Sequence, residues 1–251
     1  QMLFLNENVN TSKTEAIAGM RADIEMINTT FDIIALKEEV IKSEAAYLSL
    51  NEEAKEEAKP ATDEKKKNFI KSFFAKVREF FEKLIARFKL ALAKIKSFIL
   101  NKMNVVEIHV VAVDVLQEFG MAIIAAGRTI DKIMGSSDIG QVNDLLQPHV
   151  EKIDALKKRF HDGTAAGAKT KIYRISDIQP KIAALDSITK DLERTANNLK
   201  NVAVRIEKDS EMASGVTSAI SKYMSIAGFS NTLATYLASR LSHSKVEKST
   251  K

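Results

Sequence analysis

The window from Lys65 to Lys102 constrains the fold of this chain most, because it combines many phenylalanines with many cations. It holds seven of the chain's twelve Phe and twelve Lys or Arg, against only two acids. The whole chain carries a formal net charge of +5, so the remaining sequence is net acidic. Apolar residues recur every three or four positions from Ile70 to Ile99, which predicts one long α-helix with an apolar face and a cationic face.

The two faces of this predicted helix supply the candidate contact residues of the protein. The apolar candidates for a partner or membrane contact are Phe69, Phe73, Phe74, Phe80, Phe81, Phe88 and Phe98. The candidates on the cationic face are Lys71, Lys76, Arg78, Lys83, Arg87, Lys89, Lys94 and Lys96.

Three kinds of surface could cover such a helix. Aromatic rings can enter the acyl boundary of a membrane while the cations meet anionic headgroups. The same apolar face can instead form the buried seam of a helical bundle, with the cations in solvent. The cations could also contact nucleic acid phosphates, although the rings are not interleaved with them as a base-stacking surface requires.

Composition predicts the fold class. Only 9 Gly and 3 Pro occur in 251 residues, which leaves little turn chemistry for a β-sandwich or an α/β fold. The chain has no Cys, so it contains neither disulfides nor thiolate sites. We therefore predict an all-α protein, an elongated bundle of long amphipathic helices with coiled-coil-like seams.

Changes in charge and spacing along the chain predict six segments. The first is an N-terminal tail with a heptad-like helix, followed by an acidic linker, the basic Phe-rich helix, a helical hairpin, a loop, and the C-terminal long helices with a mobile tail. Their predicted ranges are 1–50, 51–64, 65–102, 103–162, 163–177 and 178–251.

Two local patterns refine the middle of the chain. Asn104 followed by Glu107 has the spacing of a capping box, which predicts a helix from Val105 to Met134. Alternating residues from Lys171 to Ile175 are typical of one short strand inside the 163–177 loop. One strand alone cannot form a sheet, so the all-α prediction stands.

The search for chemistry gives no catalytic or metal-binding pattern. None of the four His has a partner at metal-ligand spacing on a helix, and Gly163, Gly167 and Lys169 lack the spacing of a phosphate-binding loop. No uninterrupted apolar run of about 20 residues indicates a membrane span, and the N-terminus lacks the features of a secretory signal. We expect a non-enzymatic protein without a cofactor or a small-molecule substrate.

The order of segments over about the first hundred residues resembles a known class of proteins. A heptad-like helix, an acidic Glu/Lys/Pro joint and the K-x-F-rich basic helix from Lys71 to Lys96 are similar to the helical internal or structural virion proteins of large tailed bacteriophages. The resemblance implies a virion component made in the host cytoplasm. Its implied partners are other virion proteins or copies of itself, with the basic helix contacting protein, packaged DNA or an anionic membrane.

The same resemblance implies trimming of a precursor, because some members are cut after Leu/Ile-x-Glu. Such tripeptides occur at Leu5-Asn6-Glu7, Leu36-Lys37-Glu38 and Leu50-Asn51-Glu52, and the first residue is Gln1. We expect this start to be compatible with trimming.

An alternative of another class is a soluble helical protein that disrupts membranes or forms pores. In that interpretation the segment from Phe69 to Ile99 is stored against the bundle and released at a bilayer. The lack of a long uncharged hairpin able to cross a membrane weighs against it.

Overall fold

Five helices form most of the described chain. The computed structural model describes residues 61–100, 104–135, 142–206 and 213–246, with five isolated positions between 35 and 45. Helix accounts for 87% of the described residues, so the predicted mostly helical character is confirmed. The helices are α1 (Ala61–Ile99), α2 (Val110–Gly135), α3 (Val142–Thr164), α4 (Ile175–Ile206) and α5 (Ala213–Ser242). The strands are β1 (Asn104–His109), β2 (Thr170–Arg174) and β3 (Lys245–Val246).

Helix α1 lies against α4 and α5 and buries one continuous apolar face. The buried positions follow the three-four spacing of the sequence, which keeps side chains on one side of an α-helix. Each large apolar side chain that is fully buried contributes roughly 1.5–3 kcal/mol. The buried residues of this face include Ile70, Phe73, Val77, Phe80, Phe81, Leu84, Phe88, Leu92 and Ile95.

Helix α5 is enclosed on nearly all sides and contacts all four other helices. From Gly215 to Leu241 only Thr232 is fully exposed. The helix is rich in Ala, Ser and Gly, and small side chains let neighbouring backbones approach closely. A helix surrounded by other helices needs apolar or small residues on every face, which explains why α5 lacks a clear polar side before Thr232.

Helices α2 and α3 pack against each other, and α2 also packs on α4. Their close approach depends on Gly163 near the end of α3. A Cβ atom at that position would lie 2.2 Å from Cγ1 of Val111, so no larger residue fits without movement. Pro148 lies inside α3, within its first two turns.

A small antiparallel sheet corrects the prediction for residues 104–109. Asn104 begins β1 and is not a helix cap, and helix α2 begins only at Val110. The prediction was wrong because β-branched residues favour a strand. In β1 they also place Val106 and Ile108 on the same buried side.

The 163–177 loop prediction is also corrected. Helix α3 continues to Thr164, β2 occupies 170–174, and α4 begins at Ile175. The β2 strand does not stand alone, because it pairs with β1 from Val105 opposite Arg174 to His109 opposite Thr170. Strand β3, within the tail predicted to be mobile, pairs with the other edge of β1 and gives the order β2-β1-β3.

Several predictions fall partly or wholly outside the described residues. The heptad-like helix within 1–50 does so apart from the five isolated positions, and so does the linker up to residue 60. The last four linker positions, from Ala61, already belong to α1. The tripeptides at Leu5-Asn6-Glu7 and Leu50-Asn51-Glu52 lie outside as well.

Candidate functional site

The seven candidate Phe side chains lie against the protein's own core. Phe73, Phe80, Phe81 and Phe88 are at most 2% exposed. Phe69, Phe74 and Phe98 are half-buried and pack on the edge of the same core. The apolar face of α1 therefore serves as a bundle seam in this structure, one of the alternatives that the sequence left open.

The rings of α1 also contact one another and α5. Phe73 and Phe74 meet edge to face with centroids 5.5 Å apart. Phe80 and Phe81 do the same at 5.3 Å. The half-buried Phe74 lines a hollow of about 300 Å³ whose other walls include Phe81 and Leu199. The edge-to-face contacts of Phe73 with Phe74 and of Phe80 with Phe81 each contribute roughly 0.5–1.5 kcal/mol beyond the burial of their surface area.

The cationic face is partly neutralised within the protein. Along α1, Arg78 pairs with Glu82 and Lys83 pairs with Glu79, each at 2.7 Å. Lys76 lies 3.8 Å from Glu39. These exposed pairs contribute about 0–1 kcal/mol each.

Two further cations connect α1 to α4. Lys96 Nζ lies 2.8 Å from Asp186 Oδ1, and Lys89 pairs with Glu193. Seven residues, about two helical turns, separate the two positions on each helix, so the pairs hold the helices in antiparallel register. Both lysines were predicted as contact residues on the cationic face, whereas in the structure they pair with carboxylates of the same chain.

Positive charge nevertheless remains in excess on this side of the molecule. Helix α1 contains eleven Lys or Arg against four Asp or Glu. Helix α4 contains five against four and cannot balance that excess. Lys71 is exposed and Lys94 half-buried, and within the described part of the chain neither has a carboxylate within 4 Å. Arg87 is half-buried and already takes part in a non-covalent interaction.

A polar cluster lies between α2, α4 and α5, with Asp191 and Tyr223 buried and Arg194 exposed at its edge. Arg194 pairs with both Asp131 and Asp191. Burial raises the pKa of Asp191 above its ordinary value, and the guanidinium of Arg194 only partly offsets this. The hydroxyl of Tyr223 is fully buried, which raises its pKa as well. Gly127 leaves room for the Asp191 carboxylate, because a Cβ there would lie 2.4 Å from Oδ2.

A second polar group joins β1 to the end of α5. The Tyr236 hydroxyl accepts a hydrogen bond from the His109 backbone N–H at 3.1 Å and lies 2.7 Å from His109 Nδ1. Arg240 Nη2, which can only donate, lies 3.4 Å from the same Nδ1. The Nδ1 atom is therefore unprotonated, and Tyr236 donates to it. Burial, followed by the Arg240 charge, lowers the pKa of His109.

The cluster of His109, Tyr236 and Arg240 was not predicted, because its members are far apart in the chain. His109 and Tyr236 are separated by 127 positions. A weak signal was present in α5, where polar residues recur every three or four positions from Thr232 to His243. That spacing marks a polar strip on an otherwise apolar helix.

Two further observations concern metal sites and membrane-spanning helices. In the described ranges, no group of three or more His, Cys, Asp or Glu is arranged to hold a metal ion. One stretch, Val110–Lys132 in α2, is long and apolar enough to cross a membrane, and 56% of that window is buried in the bundle. The core helix of a bundle meets the same criterion.

Comparison with known proteins adds no assignment. No protein-family model, curated protein or solved structure matches this chain. Functional inference therefore depends on the geometry described above.

Proposed function

We propose that this chain is a non-enzymatic structural and interaction protein of a bacteriophage virion. Its helices pack on one another or on other virion proteins, and the cationic side of α1 contacts an acidic partner. The observation that carries the proposal is the separation of roles on α1. The Phe face is committed to the core, while the opposite side retains an excess of positive charge after the ion pairs among the described residues are counted.

The resemblance of the first hundred residues to internal virion proteins supports the same proposal. The proposal also includes an elongated assembly, in which a helix with the heptad-like spacing of residues 11–50 adds a coiled-coil-like seam to the bundle. Glu39, one of the described positions of that segment, lies 3.8 Å from Lys76 of α1.

The decisive test of the biological setting is mass spectrometry of purified phage particles. Under this proposal the chain is present in intact particles after nuclease and protease treatment of their surface. Its absence from particles of a phage that encodes it would remove the virion role, whatever the isolated protein binds.

The contact made by α1 is tested separately with duplex DNA. Fluorescence anisotropy across a salt series should show binding that weakens as salt rises, because phosphate contacts release counterions. The double variant Lys71→Glu and Lys94→Glu should weaken binding and reduce the slope of log K against log salt by about two. Both positions lack a carboxylate partner in the described chain, so the fold should tolerate the change.

A matched control uses the electrically neutral helix α3. Lys152→Glu combined with Lys158→Glu makes the same charge change at two exposed positions. Equal weakening in both double variants would show a response to net charge alone and would contradict a specific role for α1. Salt-independent binding to the duplex would contradict a contact between the cations of α1 and phosphates.

Membrane disruption is the second candidate function. Two features favour it, the amphipathic character of α1 and the apolar Val110–Lys132 stretch in α2. The apolar face of α1 and 56% of the apolar window in α2 are buried, so insertion into a bilayer would require the bundle to open. Dye leakage from anionic vesicles, compared with neutral vesicles of the same size, tests the idea. Lysis that persists after deletion of residues 65–102 would remove α1 from the mechanism, and absence of leakage from the folded protein would remove the candidate function.

A further inference from the structure

We propose that a hollow between the C-terminal parts of α3 and α5 is a binding site for a phosphate group. It measures about 420 Å³ and is lined by Arg240, His243, four hydroxyl side chains and two aromatic rings. The site is separate from the cationic side of α1 and does not depend on the function proposed for it. It also goes beyond the expectation that the protein takes no small ligand.

The lining comes mainly from one strip of α5. Thr232, Thr235, Ser239 and His243 follow each other at three- or four-residue spacing, so their side chains point to the same side of the helix. Helix α3 contributes Phe160 and Thr164 across the hollow. The Thr164 hydroxyl donates to Phe160 O at 2.8 Å, so the donors that face the hollow are the α5 hydroxyls and the Arg240 guanidinium. Such donors hold oxyanions in proteins.

Arg240 is the principal group of this site because it is half-buried and has only neutral partners. Its guanidinium lies over the Tyr236 ring at 5.5 Å and faces His109 Nδ1 at 3.4 Å. Among the described residues no carboxylate lies within 4 Å of it. A partly buried guanidinium without a counter-ion attracts anions, and a bound phosphate would pair with it. The planar guanidinium can bind two oxygens of one phosphate.

The neighbouring helix end does not oppose an anion as strongly as a bare C-terminus would. The last carbonyls of α5 already accept hydrogen bonds, from Ser242 Oγ and His243 Nδ1 to Ser239 O and from the His243 backbone N–H to Arg240 O. These bonds satisfy the groups that carry the negative end of the helix dipole. Because Nδ1 of His243 donates to Ser239 O, Nε2 of the neutral ring is an acceptor, and it could take a hydrogen bond only from a protonated phosphate oxygen.

The floor of the hollow limits the ligand to a phosphate with a modest organic group. Phe160 and Tyr236 meet edge to face with centroids 5.3 Å apart and offer an apolar surface beside the cations. The volume lies at the lower end of the range of about 300–1,000 Å³ that is common for small-molecule sites. The phosphate could belong to a free small molecule or to a nucleic acid backbone, and the test distinguishes these sources.

The experiment is isothermal titration calorimetry on the full chain in a phosphate-free buffer. Inorganic phosphate is the probe in one arm and a short oligothymidylate in the other. Arg240→Gln should weaken binding at least about tenfold, as expected when a charge-assisted hydrogen bond is lost. Lys222→Gln is the matched control, because it removes one positive charge from the same helix about 27 Å away along the helix axis.

Each result has a defined meaning. Binding of inorganic phosphate that Arg240→Gln weakens and Lys222→Gln leaves unchanged supports the site with a free phosphate ligand. Binding of the oligonucleotide alone, with the same pattern, supports the site with a nucleic acid backbone. No saturable binding of either probe at millimolar concentration, or equal weakening in both variants, overturns the proposal.

Two controls keep the test decisive. Thermal melts followed by circular dichroism show whether Arg240→Gln folds. Should it not fold, Arg240→Met, which removes the charge and keeps the apolar stem of the side chain, replaces it, and unchanged binding in that variant overturns the proposal. The Lys71→Glu and Lys94→Glu variant should bind inorganic phosphate normally, which separates failure of this site from failure of the α1 contact.

Discussion

The Tyr223 ring stacks on the Phe81 ring with centroids 6.0 Å apart and an interplanar angle of 26°. Both side chains are at most 2% exposed, so this contact joins the Phe face of α1 to the middle of the enclosed helix α5. A ring held in this way cannot reach a membrane or a partner unless the bundle opens. The free energy of unfolding therefore reports whether the Phe face of α1 is packed in the bundle.

Phe81→Ala should lower the free energy of unfolding by about 3–5 kcal/mol, because a buried ring is lost and a cavity remains. Phe74→Ala, at a half-buried position on the core's edge, should cost clearly less. Urea denaturation followed by circular dichroism gives both values. Similar losses in the two variants would contradict the burial pattern of α1.

The buried face of α1 was predictable because three-four spacing is a local property of the sequence. Strand β1 was not, because a capping pattern of two residues is short and because β1 is stabilised by pairing with β2, more than 60 residues away. Non-local pairing has no local signature beyond β-branched residues such as Val105 and Val106.

The same reason explains the ion pairs and the polar hollow. Nothing in the sequence near Lys96 indicates that it pairs with Asp186 on another helix, so the cationic face was predicted to be more available than it is. The hollow combines side chains from two helices beside a strand. Only the polar strip of α5 could have pointed to it.

Gly163→Ala should destabilise the protein by about 1–3 kcal/mol, because the added methyl group would collide with Val111 and force the α2–α3 contact apart. Gly228→Ala is the matched control inside α5, where an added Cβ meets nothing within 4 Å. It should stabilise by about 0.5–1 kcal/mol through helix propensity. Thermal unfolding of both variants measures the difference.

A second variant tests the cause of the Gly163 effect. Val111→Ala should recover part of the stability lost in Gly163→Ala, because it removes Cγ1 and Cγ2, at 2.2 and 3.1 Å, and leaves Cβ at 2.8 Å. If the double variant is no more stable than the sum of the two single changes predicts, the strain lies elsewhere.

Asp191→Asn should change the pH dependence of stability. Burial raises the folded-state pKa of Asp191, so the folded protein holds this proton more tightly than the unfolded chain, whose Asp pKa is about 3.9. Asp191 therefore stabilises fully below that value, and the contribution is lost as pH rises through the folded pKa. The free energy of unfolding of the wild type minus that of the variant should fall as pH rises from about 4 through the raised folded-state pKa of Asp191.

Urea denaturation at several pH values gives this difference directly. Asp162→Asn, which removes an exposed carboxylate from α3, is the control for the general loss of one negative charge. A difference between wild type and Asp191→Asn that grows with pH would mean that the ion pair with Arg194 outweighs burial.

Tyr236→Phe should cost about 1–3 kcal/mol, because the buried His109 backbone N–H loses its acceptor and the imidazole Nδ1 loses its donor. Tyr173→Phe removes a hydroxyl from another half-buried tyrosine and should cost much less. Chemical denaturation measures both, and the His109 ring resonances in NMR spectra should shift only in Tyr236→Phe. Equal costs with an unchanged His109 signal would show that the tyrosine hydroxyl does not join β1 to α5.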